Sequence, residues 1–272
     1  MSKSSPAIGL AETTAFTPNV FHKLAPYYDL VHASRDYEEE AKFLEAVLRK
    51  YHDGGTRMLE LFCGTGGHTI PMAQKGFEVV GLDSSSSMLA IAEKKAHVKA
   101  ASITFRLGDC RWLGFTNEFE CAFGFGQSVH YLISYQETHN TFRGVNRALK
   151  SGGLLVFDII NGWKLLEPYQ TEHYDVGKDG TIIVRIERTR LDRLKRVKCS
   201  EMTWIIQTPT GRVNLEKTVE GYRVFFQDEL DYLLTISGFE LLAICGDYDL
   251  DRSASLDSLT LSLIARKLAD LT

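Results

Sequence analysis

Cysteine is scarce and scattered in this chain: five residues in 272, at Cys63, Cys110, Cys121, Cys199 and Cys245. An odd number with no short spacing excludes a disulfide scaffold and a cysteine-based zinc cluster. Long apolar runs are lacking too, and residues 1–6 have neither the basic nor the apolar block of a secretory signal. The expectation is a cytoplasmic chain with no membrane partner. Nor is there a surplus of positive charge. Lys and Arg number 31 against 35 Asp and Glu, a formal net charge of −4, so the chain as a whole has no polyanion-binding signature. Its densest basic run, residues 185–198, alternates with apolar residues and acids and reads as a solvated face of strands, not a nucleic-acid track. No nucleic-acid partner is expected, and no metal is expected because no spaced histidine–carboxylate set is present.

What is present is an ordinary globular composition, 44% hydrophobic and 24% charged, long enough for one large domain or one domain with a modest subdomain. Periodicity predicts a helix over residues 37–51, a strand over 57–62, a helix over 68–75 and a strand over 77–82. Four serines, 84–87, offer caps for a helix over 88–97. Strands at 102–107 and 119–125, a helix at 137–149, a Ser151-Gly152-Gly153 stop and a strand at 154–159 complete a βα alternation. Such alternation builds a mostly parallel sheet with helices on both faces. From residue 174 to 223 the rhythm changes to extended segments separated by hairpin signals, with no helix between them. A helix at 227–236 and strands at 239–246 and 258–266 then restore the α/β pattern. The fold class is therefore α/β, a Rossmann-like mostly parallel sheet with an antiparallel β insertion after the fifth strand. Residues 1–20 read as a flexible extension, 21–160 with 224–272 as the α/β domain, and 161–223 as an inserted lid and substrate subdomain.

The chemistry is concentrated where the first strand ends. Met58-Leu59-Glu60-Leu61-Phe62-Cys63-Gly64-Thr65-Gly66-Gly67 is an apolar strand running into a glycine turn, and a second strand ends in Asp83. That arrangement holds a nucleotide-type cofactor, with the distal acid accepting the ribose hydroxyls. A pyrophosphate at this turn would meet the opposing charge of Glu60, and the third glycine of a dinucleotide fingerprint is replaced by Thr69. A ligand carrying an ammonium or sulfonium suits Glu60 better.

These residues resemble the first motif of the class I S-adenosylmethionine-dependent methyltransferases, an acid followed by three alternating glycines. Here Phe62 stands in place of the first glycine, while Gly64 and Gly66 keep the other two. The resemblance extends over roughly residues 27–266 and is strongest to the small-molecule, N-methyltransferase-like branch, which carries antiparallel strands at the same point of the fold. It implies S-adenosyl-L-methionine as cofactor and a small-molecule acceptor as partner. By that resemblance Glu60 engages the amino end of the methionine moiety, Asp83 with Ser84 the ribose side, Asp109 the adenine amino group, and Cys110 a backbone contact. Met88 and Trp112 are candidates for the adenine face, with Met88 equally suited to the core. In Phe125-Gly126-Gln127-Ser128-Val129-His130-Tyr131, Gln127 and Ser128 would lie near methionine, and either His130 or Tyr131 would orient the acceptor or relay its proton. The Tyr27-Tyr28-Asp29 segment resembles one that folds across the cofactor, so Tyr27 or Tyr28 would close the pocket. Trp163, Tyr222 and Arg223 are candidates to meet the acceptor.

Methyl transfer to an amine is the leading expectation. An O-methyltransferase, an NAD-dependent oxidoreductase and a non-catalytic binding or regulatory subunit stand as alternatives, and homo-oligomerisation is left open.

Overall fold

The backbone of residues 18–52, 54–99, 103–166, 172–176 and 180–268 is described by the structure, a computed structural model. The expected N-terminal extension lies outside the described residues up to residue 17, as do Asp53, Ser102, Lys178 and Asp179.

The chain begins with two short helices, α1 (Pro18–Leu24) and α2 (Tyr28–Val31), followed by α3 (Tyr37–Tyr51). Asp36 caps α3 by accepting the Glu39 N–H, and acids in its first turn with Arg49 and Lys50 in its last complement the helix dipole. The α/β alternation then runs β1 (Arg57–Leu61), α4 (Thr69–Gln74), β2 (Glu78–Asp83), α5 (Ser86–Lys99), β3 (Ile103–Leu107), β4 (Phe119–Gly124), α6 (Tyr135–Ala148) and β5 (Leu149–Ile160). A capping box, Ser134 with Glu137, starts α6. After the short α7 (Gly162–Leu165) come β6 (Glu172–Val176), β7 (Ile182–Asp192), β8 (Val197–Gln207) and β9 (Val213–Arg223). The chain closes with α8 (Gln227–Ile236), β10 (Phe239–Gly246) and β11 (Thr260–Lys267).

Seven strands form one sheet in the order β10-β11-β5-β4-β1-β2-β3, and β6-β7-β8-β9 form a separate four-stranded sheet. Within the large sheet β1 to β5 pair in parallel and β11 is antiparallel to both its neighbours. The small sheet is antiparallel throughout, the insertion expected after the fifth strand. Both faces of the central strands are buried. Met58, Val79, Phe123 and Val156 pack with Phe43, Leu44 and Val47 of α3, whereas Leu59, Val80, Ala122 and Leu155 pack with Phe142 of α6 and Leu230 of α8.

One expected boundary differs in kind. Ser151-Gly152-Gly153 does not separate α6 from the fifth strand but lies inside β5 as a bulge. Phe119 pairs with Leu149 and Cys121 with Leu154. Gly152 has φ 74°, and a Cβ on Gly153 would come within 2.9 Å of the Lys150 carbonyl oxygen. The glycines thus serve a close strand approach rather than a helix stop.

Strand order reverses between β1 and β4, so a crevice opens beyond their carboxyl ends. The segments following β1, β2, β3 and β4 all converge there.

Candidate active site

Along β1 the side chains alternate, so Glu60 shares with Met58 the face that α3 and α4 cover. The chain then enters the left-handed region at Phe62 (φ 57°), Gly64 (φ 54°) and Gly66 (φ 78°). At Gly66 a Cβ would sit 3.4 Å from Ala92, Ile70 and Phe105, so helix and strand packing close over it. At Gly64 it would meet nothing nearer than the Phe62 carbonyl oxygen at 4.0 Å, so the turn is open on the ligand side. Asp83 clasps this turn from the end of β2: its carboxylate accepts the Gly64 N–H at 2.8 Å and the Ser85 N–H at 2.8 Å. Burial, reinforced by Glu60, raises the Asp83 carboxyl against the backbone donors of Ser85, Gly64 and Ser84.

A buried polar network runs beneath the turn. The Thr69 hydroxyl donates to Glu60, and His68 lies between Glu60 at 3.6 Å and Glu40 at 2.5 Å. Arg35 binds Glu40 through two nitrogens, donates to the Tyr248 hydroxyl at 3.1 Å and lies 3.7 Å from Asp158. Asp158 in turn accepts the backbone N–H groups of Gly126 (3.1 Å) and Gln127 (2.8 Å), the Gln127 side-chain amide (3.0 Å) and the Tyr248 hydroxyl. Burial opposes a charged His68, yet the hydrogen bonds and charge of Glu40 and Glu60 outweigh it and raise the imidazole. For Glu40 burial pulls upward, and His68 and Arg35 overcome it to lower the carboxyl. With His68 protonated the network holds three carboxylates, Glu40, Glu60 and Asp158, against two cations, and Asp83 adds a fourth carboxyl beside it.

The roof of the crevice comes from α1 and α2. Asp29 accepts the Thr65 hydroxyl at 2.5 Å and Lys95 at 2.8 Å, tying the Tyr-Asp segment to the glycine turn. Between this roof, the loop after β4 and the inner face of the small sheet lies a cavity of about 240 Å³. Tyr28, Gln127, Ser128 and Tyr131 line one side, and Glu220 and Tyr222 of β9 line the other. The Tyr131 hydroxyl donates to Glu220 at 3.1 Å and lies 3.0 Å from the Tyr222 hydroxyl, which also donates to Glu220. Burial raises the Glu220 carboxyl above the ordinary glutamate range, the two phenols pulling the other way.

Comparison with known proteins agrees with this geometry. Residues 58–153 match the model of a methyltransferase domain. A protein of Geobacillus sp. (strain WCH70), assigned by inference as a methyltransferase, is 28% identical over 91% of this chain and 99% of its own length. Residues 58–153 thus carry the pattern of a methyltransferase domain, and the chain is similar along most of its length to a methyltransferase-like relative. A dTDP-3-amino-3,6-dideoxy-alpha-D-glucopyranose N,N-dimethyltransferase of Streptomyces fradiae is 23% identical over 80% of this chain and 84% of its own. The fold is shared with the crystal structure of an S-adenosylmethionine-dependent methyltransferase from Clostridium acetobutylicum ATCC 824, with a TM-score of 0.77 at 18% identity, covering 90% of this chain and 98% of that one.

Several expected site residues take other roles in the structure. His130 is fully buried: its Nδ1 donates to the Arg223 carbonyl at 2.6 Å and its Nε2 accepts the Ile160 N–H at 2.8 Å. Both nitrogens are committed to backbone and burial lowers the imidazole to about 4, so His130 is a neutral strut and not a base for the acceptor. Arg223 is one residue out of phase with Tyr222 and Glu220, so strand alternation turns it away from the cavity. It bonds Glu229 and the Ile133 carbonyl instead. Trp163, 56% exposed, packs edge-on to Phe226 outside the cavity. Of the two tyrosines, Tyr28 lines the cavity, while Tyr27 packs with Leu24 against Ile183, Met202 and Trp204 of the small sheet. Met88 is 1% exposed and belongs to the core. Ser84 is exposed, and its backbone N–H bonds Asp83. Glu60, 1% exposed, offers no surface of its own and acts through Thr69 and His68.

Beyond β3, Asp109 accepts both the Arg111 N–H and its guanidinium. Burial pulls its carboxyl up, but Arg111 holds it below the ordinary range. The Cys110 side chain is buried, its thiol pushed up to about 12, which leaves the backbone as its means of contact. Leu107 and Trp112 flank Asp109 with exposed apolar surface. Arg35, Glu40, His68, Asp158 and Tyr248 were not singled out in the sequence, because none lies in a motif and only folding brings them together. Glu220 had a weak signal, its alternation with Tyr222 on a predicted strand. Among the described residues no group of His, Cys, Asp or Glu side chains is placed to hold a metal ion, and no helix is long and apolar enough to cross a membrane.

Proposed function

We propose that this chain transfers a methyl group from S-adenosylmethionine to an amine on a small metabolite. One observation carries the reading: a glycine turn open on its ligand side is clasped by Asp83 and underlain by a network with more carboxylates than cations. Such a floor favours a cationic ligand end and opposes a pyrophosphate. The residues fit the cofactor in kind. Gly64 leaves room for close approach, Asp83 has lone pairs left for the ribose hydroxyls, Asp109 is an acceptor for the adenine amino group, and Gln127 with Tyr28 borders the methionine end.

When bound, S-adenosylmethionine supplies an electrophilic methyl group on a sulfonium. The protein's part is to hold a lone pair in line with that carbon and to keep water away, an orientation effect worth up to about 7–11 kcal/mol in ideal cases. The α1–α2 roof, tied down by Asp29, serves exclusion of water. An amine attacks only when neutral. Glu220, raised by burial, takes the proton from the acceptor ammonium, and Tyr131 with Tyr222 position the carboxylate. Amine over oxygen is supported by the described function of the Streptomyces fradiae relative, an N,N-dimethyltransferase of an amino sugar.

Calorimetric titration with S-adenosylmethionine and with NAD, followed by a screen of amine and hydroxyl metabolites with methyl-labelled cofactor, tests the reading. Binding of S-adenosylmethionine with label transfer to amines is expected. Binding of NAD alone, or transfer confined to hydroxyls, would overturn it.

A further inference from the structure

The loop after β4 is shaped by a residue outside the sequence motifs. Gly126 (φ 87°) and Gln127 (φ 56°) are successive left-handed residues, a conformation that is costly for a non-glycine residue and persists only where its surroundings hold it. Successive N–H groups of such a turn form a concavity for an anion. Here the anion is the chain's own. Asp158, fully buried on β5, accepts the Gln127 N–H on Oδ1 at 2.8 Å and the Gly126 N–H on Oδ2 at 3.1 Å. The Tyr248 hydroxyl also donates to Oδ2, and Arg35 lies 3.7 Å away. Burial raises the carboxyl against the pull of Tyr248, Arg35 and the Gln127 N–H. Asp158 thus acts from β5 as Asp83 acts from β2, each an acid near a strand end that shapes the loop after the neighbouring strand.

The same carboxylate decides which way the Gln127 side chain turns. The amide nitrogen Nε2 donates to Asp158 Oδ2 at 3.0 Å and lies 3.4 Å from the Tyr248 hydroxyl. An amide oxygen in that place would confront a carboxylate, so the two ends of the amide are not interchangeable. With Nε2 committed, Oε1 is the end left for a ligand, and Gln127 borders the cavity. A side-chain amide ordinarily offers both a donor and an acceptor; this one offers an acceptor. Its position is close to the glycine turn. Strand β4 lies beside β1, and a Cβ on Gly124 would be 3.5 Å from Leu61 and from the Phe62 ring, with Gln127 three residues further on.

We propose that Asp158 is a positioning residue: it holds the Gly126–Gln127 turn and fixes the Gln127 amide so that Oε1 accepts from a charged amino group, the ammonium at the methionine end of the cofactor. The inference rests on the methyltransferase reading and deepens it. It gives the ammonium a neutral acceptor of defined orientation, where Glu60 is too deeply buried to meet it directly. A hydrogen bond to a charged group is worth roughly tenfold or more in affinity.

The test titrates the full chain calorimetrically with S-adenosylhomocysteine and with its deamino analogue, which lacks the amino group and is otherwise identical. The wild-type chain should bind S-adenosylhomocysteine roughly tenfold or more tighter than the analogue. Q127M keeps the length of the side chain and removes the amide, so the preference should shrink at least about fivefold while the analogue binds within about threefold of wild type. In D158N the new amide can donate to Oε1 and turn the Gln127 nitrogen toward the ligand, so the preference should vanish or reverse. A purely structural role would weaken both ligands alike in D158N and leave their ratio unchanged, which overturns the proposal. Equal binding of the two ligands by the wild-type chain, or a preference surviving in Q127M, overturns it too. Should D158N not fold, the wild-type chain decides. The Gln127 side-chain NH2 signal, identified by its loss in Q127M, should then exchange with solvent at least about tenfold more slowly than those of exposed glutamines, and equal exchange overturns the proposal. Binding of neither ligand would overturn the methyltransferase reading itself, and the inference with it.

Discussion

Asp83 and Gly64 are joined by a 2.8 Å hydrogen bond from the glycine N–H to the carboxylate, so the acid that ends β2 also fixes the turn that follows β1. The same carboxylate accepts the Ser85 N–H. Asp83 therefore preorganises the turn, and in the proposed function its remaining lone pairs take a ribose diol. Asp83→Ala removes both. S-adenosylmethionine affinity should fall at least tenfold by calorimetry, and the unpaired backbone donors should cost about 1–3 kcal/mol of stability in urea unfolding. Asp83→Asn, which keeps one acceptor oxygen, should recover much of the stability and little of the affinity. Unchanged cofactor affinity in both variants would remove Asp83 from the site.

His130 gives a prediction of opposite character. Its imidazole is held at about 4, against an ordinary 6.5, by burial, which the hydrogen bond to Arg223 offsets only in part. A base depressed in the folded state is stabilising above its unfolded pKa. That contribution is fully present at pH 7, begins to fade below about 6.5 and is gone below about 4. The gap corresponds to about 3 kcal/mol. His130→Ala should accordingly destabilise the protein at pH 7 and flatten its acid sensitivity between pH 6.5 and 4, measured by unfolding at several pH values. Turnover by the folded fraction should change less than about tenfold, whereas loss of a proton-transfer group costs about 10²–10⁴.

The contrast between these two residues shows what the sequence makes legible. Asp83 is bound to a strand end and a glycine turn by local pattern, and its surroundings follow from β-strand geometry. The helix–strand order, the insertion point and even the bounds of α8 and β10 follow from periodicity and turn residues in the same way. His130 looked equally promising, but its role depends on the Ile160 N–H and the Arg223 carbonyl, 30 and 93 residues away along the chain. Arg223 failed by a single step of strand phase, which no predicted boundary fixes that closely. The Arg35–Glu40–His68 network joins α3 to the helix after β1, and nothing in either segment announces the other.

Glu220 ties activity to pH. Burial raises its carboxyl above the ordinary 4.5, and only the ionised form can take a proton from the acceptor. The rate at limiting acceptor should rise with pH through that raised value, and Glu220→Gln should abolish this limb while lowering turnover about 10²–10⁴-fold. Stability should respond in the other direction. An acid whose pKa is raised by folding favours the native state while it is protonated, and that advantage is lost as pH climbs from about 4.5 through the folded value. A neutral glutamine that keeps the Tyr131 and Tyr222 contacts should thus raise the melting temperature at pH 7 while activity falls. A variant less stable and fully active would show that Glu220 only packs.

Phe62 supplies a test of the turn that needs no ligand. It occupies the place of the first motif glycine yet keeps φ 57°, a region costing an L-residue roughly 1–2 kcal/mol. Its ring packs, partly buried, against the core cluster around Leu61 and Leu82. Phe62→Ala and Phe62→Gly lose that packing equally, so comparing them isolates the backbone. Elsewhere in regular structure glycine is less stable than alanine by about 0.5–1 kcal/mol. Here the order should invert, with the glycine variant more stable by about 1 kcal/mol in denaturant titration. If alanine proves the more stable of the two, the turn relaxes out of the left-handed region once the ring is gone. The packing of Phe62, and not the shape of the cofactor loop, would then be what holds the strained conformation in place.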